Sequence, residues 1–216
     1  MLKNNKIKML INGIDVHRDS TCSSHMSIQM EFIKKFQPKK VLELGVGYYS
    51  TKLYLDNCDK LISIESDSDE WFDLMEENYS NYKNWEHLKI TGLSQVCDYI
   101  KNKNEIFDII FVDGDEFRSE ETNFSFDYTT TIIGHDTQHL FRDKYLVPSD
   151  FYQIDFKNFY VSYGHYAGHD HKPWTTMFTK DKKIYEHFNN IEDSLYDMYK
   201  FPYVYDVCPN PNFKNI

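Results

Sequence analysis

Short apolar runs alternate along this chain with segments of helical period, and that alternation limits the fold more than any other feature. Val41–Leu44, Lys60–Glu65, His87–Thr91, Phe107–Asp113 and Thr130–Gly134 read as strands, the fourth being the clearest. Between them fall helical patterns. Ser23 or Ser24 is placed to cap a helix carrying Met26, Met30 and Ile33 on one face, closed by Pro38. Tyr49, Leu53 and Leu55 mark a second segment, and Ser66 with Asp69 has capping-box spacing before the face Phe72, Met75 and Tyr79. Val96 and Ile100 mark a short helix, and residues 118–128 another. Strands at 151–156 and 174–179 precede a helix patterned by Ile184, Phe188, Ile191 and Leu195. Strands alternating with helices imply crossover units and a parallel sheet. Such a sheet binds ligands at the carboxyl ends of its strands, just after Leu44, Ile64, Thr91, Val112 and Ile133.

Composition narrows the classes of function. The 216 residues are 41% hydrophobic and 17% aromatic, too apolar for a disordered chain. No apolar stretch approaches the ~20 residues of a membrane span. Asn12 to Asp15 interrupts Met9–Ile11 before a signal-peptide core can form, so a cytoplasmic protein is expected. The net charge of −10 disfavours a nucleic-acid partner, although residues 1–40 carry 8 basic against 3 acidic groups. Cys22, Cys58, Cys97 and Cys208 form no CxxC pair, which points to free thiols in a reducing compartment. Without a linker or repeat, residues 1–216 read as one domain, with 1–22 an N-terminal extension.

The strand Val41–Leu44 runs directly into Gly45-Val46-Gly47, and Glu65 ends the following strand eighteen residues beyond Gly47. Glycines there permit a tight turn and close approach of a ligand to the main chain. A carboxylate at that distance is placed to accept a ribose hydroxyl. The order of strand, GxG, helix, strand and terminal acid points to a nucleoside ligand. A third glycine and a phosphate-binding lysine are both missing, which disfavours a dinucleotide.

Val41 to Thr51 (VLELGVGYYST) with Ile64-Glu65 resembles the first motif and post-motif of class I S-adenosylmethionine-dependent methyltransferases. Phe107 to Asp115 (FDIIFVDGD) and Ile132 to Thr137 (IIGHDT) resemble the small-molecule O-methyltransferase group, with its macrolide-sugar methyltransferase and cephalosporin-hydroxylase relatives. The resemblance runs from about Ser24 to Thr137. It implies a Rossmann-like α/β fold, a mostly parallel doubly wound sheet with an antiparallel strand near the C-terminal end. It also implies that Gly45 and Gly47 face the methionine part of the cofactor, that Glu43 holds their loop, that Glu65 binds the ribose hydroxyls, and that Val46 and Ser66 belong to the same cofactor site. Gly92 and Leu93, within Thr91–Ser94, would border the adenine, and Asp113 would lie against the cofactor.

Asp113, Asp115, His135 and Asp136 form a second group. Carboxylates ending adjacent strands, with the Thr137 hydroxyl, suit a hard divalent cation. In metal-dependent relatives the matching acids hold Mg²⁺, which activates the acceptor oxygen. The residues leave two readings open: Asp113, Asp136 and Thr137 hold a metal, or Asp113 only orients the cofactor and Asp136 only caps the next segment. Glu116 stands where the relatives have His, and Tyr128–Thr131 replaces their glycine turn.

His135, beside Asp136, is the best general-base candidate. His139 lies close by, and His165, His169 and His171 fall in a late aromatic loop with Tyr160, Tyr163, Tyr166 and Trp174. Residues 138–175 are long enough for a substrate lid. The expected activity is methyl transfer to a sugar or phenolic oxygen of a small acceptor, with His135, Asp136 and Asp113 as the catalytic group. The rivals are a protein or nucleic-acid methyltransferase, a hydroxylase-like reuse of the fold and a non-catalytic binding protein. Oligomeric state is left open.

Overall fold

Alternate residues of the central strands face opposite ways, and both ways are apolar. Val41, Leu61, Ile109, Phe111 and Ile133 join one buried cluster, while Leu42, Leu44, Ile62, Ile64, Ile110 and Val112 join another. A sheet with two apolar faces has to be covered on both. In the computed structural model, which describes residues 10–11, 14–15, 25–47, 50–66, 68–114, 117–137, 144–157 and 174–198, helices do this.

The element order is β1 (Leu10–Ile11), β2 (Ile14–Asp15), α1 (Met26–Phe36), β3 (Lys40–Leu44), α2 (Thr51–Asn57), β4 (Lys60–Glu65), α3 (Asp69–Tyr79), β5 (Trp85–Lys89), α4 (Leu93–Lys103), β6 (Ile109–Val112), α5 (Arg118–Ser125), β7 (Thr131–His135), β8 (Tyr152–Phe156), β9 (Thr175–Thr179) and α6 (Lys182–Met198). β1 and β2 pair only with each other, antiparallel. The other seven strands form a sheet in the order β5-β4-β3-β6-β7-β9-β8, with β9 antiparallel to both of its neighbours. This is the doubly wound, mostly parallel sheet expected. α1, α2, α3 and α6 cover one face; α4 and Phe126, just beyond α5, cover the other.

The chain builds outward from β3 to β4 and β5, then crosses to β6 and β7. The switch in direction therefore lies between β3 and β6, and their carboxyl ends splay a crevice there. Main-chain bonds lock the crevice: Asp113 N donates to Leu44 O (2.8 Å) and Gly45 N to Ile64 O (2.9 Å).

Three boundaries differ from the sequence expectation. β5 begins at Trp85 and ends at Lys89, two residues earlier than His87–Thr91, because its register pairs Leu61 with Trp85 and Glu65 with Lys89. All five of its residues are half-buried, so this edge strand lacks the continuous apolar burial that marks the central strands. α3 is capped by Ser68, whose hydroxyl accepts Trp71 N (3.2 Å), not by Ser66. α5 stops at Ser125, and its last turn gives way so that Phe107 N can donate to Tyr128 O (2.9 Å).

β8 lies within the stretch 138–175 and forms an edge of the sheet. Residues 138–143 and 158–173, with His139, His165, His169, His171, Tyr160, Tyr163 and Tyr166, lie outside the described residues, as do Tyr49, Asp115, Glu116, Cys22, Cys208 and most of 1–22. Cys58 is buried and free, and burial pushes its thiol up to about 12. No helix among the described residues is long and apolar enough to cross a membrane.

The closing helix is held by aromatic contacts. Phe188 is fully buried and its ring lies 6.2 Å from Phe32 and 5.9 Å from Phe156. Phe188→Ala should cost about 3–5 kcal/mol of stability, read as a lower urea midpoint with an unchanged slope.

Candidate active site

The first half of the site is the turn after β3. Gly45 has φ +87°, and a Cβ there would lie 2.6 Å from Asp113 O and 2.8 Å from Gly114 N. Only glycine fits both the left-handed backbone and the contact. Among the described residues a Cβ on Gly47 would meet only Ser50 Oγ, at 3.4 Å, so none of them imposes a steric demand for the second glycine.

Glu43 anchors this turn from below. It is fully buried, and its Oε2 accepts from Thr51 Oγ1 (2.8 Å) and Ser63 Oγ (2.7 Å). Thr51 Oγ1 in turn accepts Gly47 N (3.1 Å), so the carboxyl group ties β3, β4 and α2 to the loop. Burial outweighs these hydroxyl bonds and pushes Glu43 up to about 7.

Glu65 closes the other wall. It is 5% exposed, with Oε2 accepting Val46 N (3.4 Å) and Oε1 accepting Ser68 N (3.2 Å). Trp71 Nε1 donates to Val46 O (2.8 Å) and braces the loop from α3. Gly45, Val46, Glu65, Ser66, Ser68, Trp71, Asp113 and Gly114 line a cleft of about 190 Å³. Five expected cofactor residues thus line one cleft: Gly45, Val46, Glu65, Ser66 and Asp113. Gly92 and Leu93 stand apart from it, at the start of α4, where Gly92 takes φ +96°.

The second half of the site is ionic. His135 Nδ1 lies 2.9 Å from Asp113 Oδ1, and His135 Nε2 lies 3.7 Å from Asp136 Oδ1. Arg118 spans the same two acids, with one guanidinium nitrogen 3.4 Å from Asp113 Oδ1 and the other 3.8 Å from Asp136 Oδ2. Burial works to lower the His135 pKa, but the Asp136 and Asp113 carboxylates overcome it and hold the imidazole up at about 9. Burial likewise works to raise Asp113, and His135 with Arg118 instead brings it down to about 2. At neutral pH the group is therefore an imidazolium and a guanidinium facing two carboxylates. Asp136, with φ +53° and a 36% exposed side chain, is the member most open to a ligand.

This arrangement changes the reading of the metal and of the base. Thr137 is buried, and its hydroxyl is within 2.6 Å of Thr176 Oγ1 and 3.3 Å of Trp174 O; β9 engages it, not the acids. Asp113 meets nitrogen donors of His135 and Arg118 instead of an oxygen cage. Mg²⁺, a hard ion that demands oxygen ligands, does not fit that set. As an imidazolium, His135 has no lone pair to offer an acceptor until it loses its own proton.

Three contributors escape the sequence reading. Arg118 leaves one trace there, as one of only 3 arginines beside 21 lysines. Trp71 falls one position off the expected apolar face of its helix. His25, next to the expected serine caps, comes from α1 to lie 4.6 Å, ring to ring, from His135.

No protein-family model matches the sequence, and no curated protein does. Solved structures do match in fold. An O-methyltransferase from Bacillus cereus, in complex with SAH, superposes with a TM-score of 0.56 at 18% identity, covering 79% of this chain and 84% of that one. The O-methyltransferase TomG from Streptomyces achromogenes, involved in tomaymycin synthesis and in complex with SAM, gives 0.55 at 13% identity, covering 74% and 81%. The chain shares the Rossmann-like fold of these O-methyltransferases, and at these identities the likeness is one of fold.

Two measurements check the first half of the site. Gly45→Ala forces a Cβ onto the Asp113 carbonyl in a left-handed conformation and should cost roughly 2–4 kcal/mol in urea unfolding. Glu43 is protonated more readily folded than unfolded, so its contribution to stability is complete below about pH 4.5 and lost as pH rises through about 7. Glu43→Gln should remove that loss, worth up to about 3 kcal/mol, and gain on wild type between pH 5 and 8 (on the order of those pKa values).

Proposed function

We propose that this chain transfers a methyl group from S-adenosylmethionine to an oxygen of a small polar acceptor, of the sugar or phenol kind. The observation that carries the reading is the cleft at the switch point, where a bare glycine turn faces a buried strand-end carboxylate. Among the described residues it is lined by no lysine or arginine that would hold a phosphate. A nucleoside sulfonium has no phosphate to hold and carries a positive charge that Asp113 and Glu65 offset. The S-adenosylmethionine and S-adenosylhomocysteine complexes of the two fold relatives support the same cofactor.

Glu65 takes the ribose hydroxyls, exchanging its long bonds to Val46 N and Ser68 N for shorter ones to the sugar. The Gly45–Gly47 turn carries the methionine part, and its main chain stays fixed because Glu43 and Trp71 hold it from two sides. Gly92 and Leu93, at the start of α4 and outside the cleft lining, would border the adenine only where it extends beyond that cleft. The acceptor lies over Asp136. Its oxygen forms the new O–C bond as the C–S bond breaks, the electron pair leaves with sulfur, and the hydroxyl proton passes to the Asp136 carboxylate. Arg118 and His135 hold that carboxylate in place. Most of the acceleration comes from in-line positioning of the acceptor oxygen and the methyl group.

Calorimetric titration of S-adenosylmethionine and S-adenosylhomocysteine tests the reading. Both should bind, and Glu65→Ala should weaken binding by about tenfold or more, the worth of a charge-assisted bond. Asp136→Ala should bind the cofactor normally and turn over no acceptor from a sugar and phenol panel. Heat from neither ligand would sink the methyl-transfer reading.

A further inference from the structure

His25 is 1% exposed, and neither of its ring nitrogens has a hydrogen-bond partner among the described residues. A buried polar group without a partner is costly, and a phenyl ring would fill the same space without that cost. The imidazole leans on Phe111 (ring centroids 4.8 Å apart) and meets His135 edge-on at 4.6 Å. One donor atom each from His25, Asp113 and His135 lies within 4.8 Å of the other two. The three residues come from the N-cap of α1, from just past the end of β6 and from the end of β7, so separate elements converge on one point.

Two imidazoles and one carboxylate are a donor set for first-row transition ions, not for oxygen-seeking Mg²⁺. Metal–nitrogen bonds of ~2.0–2.1 Å need the three donors only to draw together, a movement within reach of side-chain rotation. Charge permits it as well. A divalent cation there lies beside the Asp113 and Asp136 carboxylates, while Arg118 keeps its contact with Asp136 on the far side.

We infer that His25, Asp113 and His135 form a binding site for a divalent first-row transition metal such as Zn²⁺, Co²⁺ or Fe²⁺. The site holds the ion by two nitrogens and one oxygen and leaves its other positions open beside the cofactor cleft. It stands whether or not the chain transfers methyl groups, and it accounts for a buried histidine that the methyl-transfer reading does not use.

Titration of the metal-stripped full chain with Co²⁺, followed by visible absorption and calorimetry, tests this. One equivalent should bind with d–d bands of a mixed nitrogen and oxygen site, and a large excess of Mg²⁺ should not bleach them. His25→Phe keeps the ring packing and removes the nitrogens. It should melt no lower than wild type without metal, and should bind Co²⁺ at least about tenfold more weakly. His25→Gln should show the same loss of binding. Wild-type protein that gives no bands at one equivalent, or a folded His25→Phe or His25→Gln variant that binds Co²⁺ as tightly as wild type, would overturn the assignment.

Discussion

The carbonyl oxygen of Asp113 lies where the side chain of residue 45 would begin, and the rest of the site depends on that contact. With glycine at 45, the ends of β3 and β6 close to main-chain distance, and the loops leaving them open on one crevice. Everything placed there afterwards uses the same anchor. Glu65 reaches the loop through Val46 N, Trp71 braces it through Val46 O, and Asp113 projects its carboxylate from the residue that Gly45 touches. A side chain at 45 would separate the glycine turn from the ionic group, since each sits on one of the two strand ends.

The ionic group shows how a buried cluster of charge is made tolerable. Two carboxylates face an imidazolium and a guanidinium, so the protein supplies its own counter-ions at the place where the sequence resemblance had implied a metal. The pairing keeps Asp113 ionised at any ordinary pH. It also leaves Asp136, the more open partner, to meet whatever enters. His25 is the exception to this economy, because its nitrogens are satisfied by nothing among the described residues, and the metal site we infer would give them a use.

Much of the fold is legible along the chain for a simple reason. Strands buried on both faces must be apolar throughout, so Val41–Leu44, Lys60–Glu65 and the run around Ile109–Val112 announce themselves. β5 carries no such signature. As a half-buried edge strand its position follows from pairing with β4, and the reading of His87–Thr91 slid two residues as a result. The α3 cap failed similarly: Ser66 and Ser68 are both chemically fit, and only the path of the chain past Glu65 selects Ser68.

The sequence alone determined the alternating α/β architecture, the glycine turn with its strand-end carboxylate and the pair of acids ending adjacent strands, because these follow from local periodicity and from spacing within one crossover unit. Only the tertiary structure decided which partners those acids meet. Arg118 lies on the helix after β6, His25 at the head of α1 and Thr176 on the reversed strand β9, and no local pattern relates any of them to Asp113, His135 or Thr137. Their meeting is set by the order in which strands lie side by side. That order is a property of the whole sheet, and it turned an expected oxygen-lined group into a nitrogen-rich one.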